Sequence, residues 1–329
     1  MALASVSCLS WLAGLALALV LSRLFLMRIG SRALYHSLRP MRRVAGRLDD
    51  PRADAPLAVT WLGHSTALLQ FGERFVLTDP VLFDRIGRMQ RRLVQVGLAP
   101  EHLPPIDLTV ISHSHLDHLD RRSLRAVPGR GVIVTPRGVG RHLPRALPFA
   151  ERLDLAADQS AEAHGVKVTV APARHWGGRW GVDGLWDKGA GGFVFEADGF
   201  VVYYAGDTRY DGEMFRALGR RWNIDVALLP VGPLEPAWIM RRHHLDCADV
   251  LRAFDDLRAR HLIAVHHSTF VQSTDPLHAP RRKFAALASE RPDADRLHIP
   301  FFGRQLQFER VEGRLVMTGE RGPTELFET

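Results

Sequence analysis

Ser112-His113-Ser114-His115-Leu116-Asp117-His118-Leu119-Asp120 places three histidines and an aspartate within six positions, directly behind an apolar run. That run, Leu108-Thr109-Val110-Ile111, reads as a buried strand of a layered α/β protein. On the turn that follows, His113 and His115 can converge on one metal ion while Asp117 and His118 point to a second. Neutral imidazoles and a carboxylate suit zinc, with iron or manganese as substitutes. A lone histidine is ordinarily a plain polar residue; this density just beyond a strand marks a metal site.

Three more strand ends carry residues of the same kind. His175 follows the run Val168-Thr169-Val170, Asp207 follows Val201-Val202-Tyr203-Tyr204, and His266 follows Leu262-Ile263-Ala264-Val265. Strand ends on one edge of layered sheets converge, so residues distant in sequence meet there. With the first cluster they make seven ligands, enough for two metal ions sharing a carboxylate and a water.

The rest of the catalytic portion is strand-rich. Leu57 to Leu62 reads as a strand, Ala67 to Phe71 and Phe75 to Thr78 as a hairpin around Gly72-Glu73-Arg74. Further strands are expected at Val132 to Val134, Val166 to Val170, Gly192 to Glu196, Phe200 to Tyr204 and Val226 to Leu229. Ala248 to Arg258 and Arg281 to Ser289 carry apolar residues at helical spacing. Mostly strands with helices inserted implies two sheets packed face to face with helices outside.

A chain of 329 residues accommodates one α/β domain of roughly 200–270 residues and an appendage. Cys8 and Cys247 are its two cysteines, so neither a disulfide framework nor thiolate ligation supports it. Lysine occurs only at Lys167, Lys188 and Lys283, and the arginine bias behind the net charge of +7 is no nucleic-acid signal. No basic patch interleaved with aromatics stands in the catalytic portion. Much of the positive excess is local: Arg23, Arg28, Arg32, Arg39, Arg42, Arg43 and Arg47 follow an uncharged stretch from Ser5 to Ser22. A span of about 20 residues crosses a bilayer. The absence of positive charge ahead of it argues against a cleaved signal peptide, and the charge behind it favours a cytoplasmic catalytic portion. Residues 1–30 thus read as a hydrophobic anchor helix, and residues 31–56, broken by Pro40, Pro51 and Pro56, as a basic linker or surface-lying segment.

His-x-His-x-Asp-His, then a lone His, Gly-Asp and a final His after an apolar strand, resembles the metallo-β-lactamase superfamily. Trp61-Leu62-Gly63-His64-Ser65-Thr66, Leu77-Thr78-Asp79-Pro80, Ala205-Gly206-Asp207-Thr208, Glu235-Pro236-x-Trp238 and Met240 through His244 to Asp246 are similar to one branch of it. That branch is the N-acylphosphatidylethanolamine-hydrolysing phospholipase D family with its bacterial relatives; the ascorbate-phosphate lactonases stand nearby. The resemblance spans roughly residues 57–303 and implies a four-layer αββα sandwich with a binuclear zinc centre at one edge, the hydrolase domain being taken as residues 57–329. It implies that His113, His115 and His175 hold one zinc, that Asp117, His118 and His266 hold the other, and that Asp207 bridges. His64 and Asp79 would orient ligands, and His244 would contact substrate or donate a proton. Where the phospholipases carry tryptophan after the last ligand, this chain has His267.

By that resemblance, two zinc ions about 3.5–4 Å apart would turn a bridging water into hydroxide, with Asp117 and His244 at the reacting face. The expected reaction is hydrolysis of an N-acylphosphatidylethanolamine-type phospholipid at a membrane surface, Trp176, Trp180, Trp186, Trp222 and Trp238 lining an acyl path. Competing expectations are a hydrolase of a small lactone or sugar phosphate, and a non-catalytic membrane-tethered binding module.

Overall fold

Leu57–Gly63 (β1), Thr66–Phe71 (β2) and Arg74–Thr78 (β3) form an antiparallel meander, as the apolar runs and the turn at Gly72 foretell. β1 and β2 are buried along their whole length, which is why they read as continuous rather than alternating hydrophobic segments. Leu108–Val110 (β4), Val132–Pro136 (β5) and Glu151–Leu155 (β6) extend the meander in parallel, with α1 (Arg121–Ala126) in the β4–β5 crossover. The computed structural model describes residues 20, 23–24, 27–44, 46–87, 90–179, 189–324 and 326–327.

The second sheet repeats this plan. Ser160–Ala163 (β7), Val166–Ala171 (β8), Gly192–Ala197 (β9) and Phe200–Tyr204 (β10) run antiparallel. Val226–Pro230 (β11), His261–Val265 (β12) and Leu297–His298 (β13) then add in parallel. The intervening helices are α2 (Gly212–Arg221), α3 (Ala237–Met240), α4 (Cys247–Leu257) and α5 (Ala279–Ser289). A last hairpin, Gln305–Val311 (β14) and Arg314–Arg321 (β15), returns to pair with β1, giving the order β15-β14-β1-β2-β3-β4-β5-β6 against β7-β8-β9-β10-β11-β12-β13. With these pairings β1, β3 and β4 point one way in their sheet, as β8, β10, β11 and β12 do in theirs. Their C-terminal ends therefore gather at one edge of each sheet.

Between the sheets lie Trp61, Leu69, Val76, Val110, Phe193, Phe195, Val202, Leu228 and Ile263. Burying a side chain of this size contributes about 1.5–3 kcal/mol. Phe215 and Leu218 of α2, Phe254 and Leu257 of α4 and Phe284 of α5 cover the outer face of the second sheet. The outer face of the first sheet is covered more thinly, by Leu124 of α1 and loop residues such as Leu98, Leu103 and Val139. Trp222 is buried in the helical layer beside Met214 and Phe215, which removes it from the expected acyl path. Trp180 and Trp186 lie outside the described residues.

Most of the hydrophobic N-terminal segment also lies outside the described residues, and among those described no helix is long and apolar enough to cross a membrane. Residues 27–38 form one helix across the expected boundary between anchor and linker. Arg32 on this helix donates to the carbonyl oxygens of Thr274 and Asp275 at 2.6 and 2.5 Å. The following segment is tied to the body as well: Gln305 Nε2 donates to the Pro51 oxygen at 2.5 Å, and Ala53 N–H to Gln70 Oε1 at 2.8 Å.

Candidate metal centre

Tight turns at the gathered strand ends set the centre. His64, Asp79 and His266, following β1, β3 and β12, have φ of 56°, 32° and 62°. Non-glycine residues rarely occupy this left-handed region, and where they do the surroundings must hold them. Trp61 Nε1 donates to the His64 oxygen at 2.8 Å, His266 N–H donates to the same oxygen at 2.8 Å, and His64 N–H donates to Thr269 Oγ1 at 2.7 Å. Gly206, with φ of 59°, lets the loop after β10 approach Ser112, whose Cβ would stand 2.6 Å from any Cβ placed there.

The imidazoles are fixed from behind. His118 Nδ1 donates to Asp79 Oδ2 at 2.6 Å, His175 Nδ1 to the His243 oxygen at 2.9 Å, and His266 Nδ1 to the Gly232 oxygen at 3.2 Å. Because these partners only accept, each ring turns its Nε2 lone pair inward. Ser112 Oγ donates to Asp79 Oδ2 at 2.5 Å and so accepts from His113 Nδ1 at 3.0 Å, freeing His113 Nε2 as well. Asp79 itself is buried and further held by Ser112 N–H at 2.7 Å and the Tyr204 hydroxyl at 2.5 Å.

The inward atoms form two groups. His113, His115 and His175 offer ring nitrogens within 4.8 Å of one another, and a carboxylate oxygen of Asp117 lies equally close to ring nitrogens of His64, His118 and His266. Asp207 Oδ2 stands between them, 4.0 Å from the ring nitrogens of His113 and His175, 3.4 Å from His118 and 3.2 Å from His266. His64 Nε2 lies 2.9 Å from Asp117 Oδ2. His266, not His267, joins the cluster; His267 packs on Trp61 with ring centroids 4.6 Å apart.

The electrostatics call for a cation. Burial, assisted by neighbouring imidazoles, pushes His113 well below its ordinary value, and His175 is likewise lowered by burial against the pull of Asp207. Burial alone would raise Asp207 and Asp117, yet His266 and His118 hold the first well below the usual carboxylate range, and His118 and His64 the second. His118 is raised because Asp207 and Asp117 outweigh its burial. The two buried carboxylates favour positive charge between them, as the rise of His118 shows, and Asp207 Oδ1 and His115 Nε2 are buried without a partner. This donor set fits transition-metal ions with nitrogen and oxygen ligands.

His244 Nδ1 lies 3.7 Å from Asp207 Oδ2. Burial pushes His244 down to about 4 despite Asp207, and its Nδ1 is buried without a partner beside the centre. Two residues escaped the sequence reading. Gln272 Nε2 donates to Asp117 Oδ2 at 2.6 Å, and buried Arg179 donates to the oxygens of Ser114 and Leu119 at 3.1 and 2.9 Å, clamping the histidine-rich loop. Trp176 stands over the centre, 4.9 Å from the His115 ring.

A cavity of about 340 Å³ opens onto His115, Asp117, Asp207, His244 and Gln272. Apolar side chains share the lining: Ile29 from the N-terminal helix, with Ile86, Leu116, Met240 and Val271.

Two stacked sheets with a His/Asp cluster able to hold metal at their common edge define a metal-dependent hydrolase. The description "Beta-lactamase superfamily domain" matches residues 74–267, and the chain belongs to that superfamily. It is 33% identical over 270 residues to an uncharacterized protein of Mycobacterium bovis, covering 78% of this chain and 70% of that one. It is 29% identical over 266 residues to the N-acyl-phosphatidylethanolamine-hydrolyzing phospholipase D 1 of Caenorhabditis elegans, covering 74% of this chain and 73% of that one. Among solved structures, an isothiocyanate hydrolase from Delia radicum gut bacteria has the same fold, with a TM-score of 0.62 at 21% identity, over 76% of this chain and 99% of that one.

Proposed function

We propose that the chain is a membrane-associated phosphodiesterase that cleaves N-acylphosphatidylethanolamine-type phospholipids in the manner of a phospholipase D. The observation that carries this reading is the cavity itself: Ile29, Ile86, Met240 and Val271 line the same space as the polar ligand-type residues. A small polar substrate has no use for such walls, whereas an acyl chain does. Similarity to the worm phospholipase supports the same substrate class.

In this reading His113, His115 and His175 would hold one zinc ion and Asp117, His118 and His266 the other, with Asp207 within reach of both. The bound metals supply Lewis acidity and a water of lowered pKa. His64 and Gln272 hold the Asp117 carboxylate in place, and Asp79 keeps His118 in the tautomer that presents Nε2 inward. His244 directs its hydrogen bond at a phosphate oxygen. Trp176 and the apolar walls exclude bulk water. The N-terminal apolar segment anchors the chain with the catalytic portion cytoplasmic, and exposed Met27, Leu34, Leu38 and Trp238 suit a membrane surface.

The test is hydrolysis of an N-acylphosphatidylethanolamine in isotopically labelled water. Attack at phosphorus places the label in phosphatidic acid and leaves the N-acylethanolamine unlabelled. His244→Ala should lower turnover about 10²–10⁴-fold with metal content unchanged. Label in the alcohol would reject the phosphorus route. No turnover of any diacyl phospholipid, beside turnover of a lactone or sugar phosphate, would assign the centre to small molecules.

A further inference from the structure

A second cavity, of about 470 Å³, lies between the 27–38 helix and the segment leading into α5. His36, Arg39 and Arg42 line one side and His278 the other, with Leu93 and Leu277 closing the space. Among the described residues no acidic side chain lines it. Arg32 and His36 stand four residues apart on one face of the helix, and Arg39 follows directly after its last residue.

The charge is one-sided. Burial lowers His36, and Arg32 and Arg39 lower it further; burial lowers His278 to about 4, with Arg42, Arg282 and Arg281 adding to the effect. The carboxylate on the facing segment does not compensate. Asp275 is buried and turned inward, accepting from Leu234 N–H at 2.8 Å and Ser273 Oγ at 2.6 Å. Guanidinium groups gathered without a counter-charge repel one another, and their planar forks match the oxygens of a phosphate.

We propose that this cavity is a binding site for a phosphate-bearing anion, separate from the metal centre and supplied by the head group of an anionic phospholipid. Two observations favour a lipid source over a free anion. Leu34 and Leu38, on the same helix as His36 and just ahead of Arg39, are 60% and 78% exposed, which suits acyl chains alongside. Ile29, on the wall of the catalytic cavity, precedes His36 by seven residues, or about 10 Å along a helix, so both cavities open along one element. An anion seated here would brace the 27–38 helix against residues 271–278, the segment that carries Gln272. The site stands on its own lining and does not depend on the substrate proposed for the metal centre.

Calorimetric titration of the metal-loaded full chain tests it, with three probes: dihexanoyl phosphatidic acid, dihexanoyl phosphatidylcholine and inorganic phosphate. Phosphatidic acid should bind, and the Arg39→Gln/Arg42→Gln double variant should weaken it on the order of tenfold or more. Arg220→Gln, on the exposed face of α2, should change nothing. Arg39 and Arg42 are exposed, so their loss spares the core, and Arg42→Lys, which keeps the charge but not the fork, should retain only part of the affinity. Inorganic phosphate binding as tightly as phosphatidic acid, with the same sensitivity, would keep the anion site and overturn its assignment to lipid. Binding that the double variant leaves intact would place the anion at the metal centre instead and overturn the site. Equal binding of phosphatidylcholine and phosphatidic acid would overturn it too.

Discussion

Asp207 Oδ2 lies within 4.0 Å of ring nitrogens from His113, His118, His175, His244 and His266. A carboxylate so placed serves both halves of the centre, whereas His266 serves one. Asp207→Ala should therefore deplete both metal equivalents, and His266→Ala chiefly one, as read by elemental analysis of metal-supplemented protein. Equal residual metal in the two variants would argue against a shared carboxylate. Asp79→Asn, which weakens the acceptor behind His118, should cost about 10–100-fold in metal affinity while the fold persists. The ligand-type residues were legible because they crowd one short stretch or stand within a few residues of an apolar strand's end. Gln272 and Arg179 were not, since a single amide or guanidinium in a loop has no periodicity to betray it. Tyr204 read as core because it ends an apolar run; only the structure shows its hydroxyl on Asp79.

At the scale of elements, the turn that presents His243 and His244 is pinned by the start of α4. Asp246 caps that helix, accepting from Asp249 N–H at 2.9 Å, and pairs with Arg241 at 2.7 Å. Asp246→Ala should lower stability by about 1 kcal/mol in denaturant unfolding and reduce turnover by loosening His244. A second prediction concerns β13. His298 is pushed down to about 4 by burial, with His261 adding and Glu320 opposing. The unfolded imidazole titrates near 6.5, so between about pH 6.5 and 4 the unfolded chain takes up a proton that the folded chain refuses. Stability should fall as pH falls through that window. His298→Leu should flatten the decline, seen as a smaller difference in unfolding midpoint between pH 7 and pH 5. An unchanged slope would show that His298 does not carry it. The buried strands and α4 and α5 were readable from their apolar patterns. β6 was not, because as an edge strand it is largely exposed and polar, and α2 carries glycines at both Gly212 and Gly219 that obscure its amphipathic face.

For the whole molecule, the sheet-on-sheet architecture followed from strand count and order, but the closing step did not. The β14–β15 hairpin pairs with β1 across more than two hundred residues, a non-local pairing that no local pattern announces. The N-terminal region is the other such case. Its arginines read as a linker, yet Ile29 walls the catalytic cavity and Arg32 bonds to the 274–275 backbone, so the helix is part of the site's surroundings. Two truncations separate its roles. Removing residues 1–26 should release the protein from the membrane pellet while turnover of a soluble phosphodiester stays within about twofold, because every ligand-type residue lies beyond residue 57 and helix 27–38 is retained. Removing residues 1–38 also deletes Ile29 and Arg32, freeing the segment that carries Gln272. Losing contacts worth about one to two kcal/mol should raise KM for the same substrate roughly fivefold to thirtyfold, with metal content unchanged. If the longer deletion left KM where the shorter one does, the helix would be a tether alone; if the shorter deletion stayed with the membrane, anchorage would reside in helix 27–38 or the catalytic body instead.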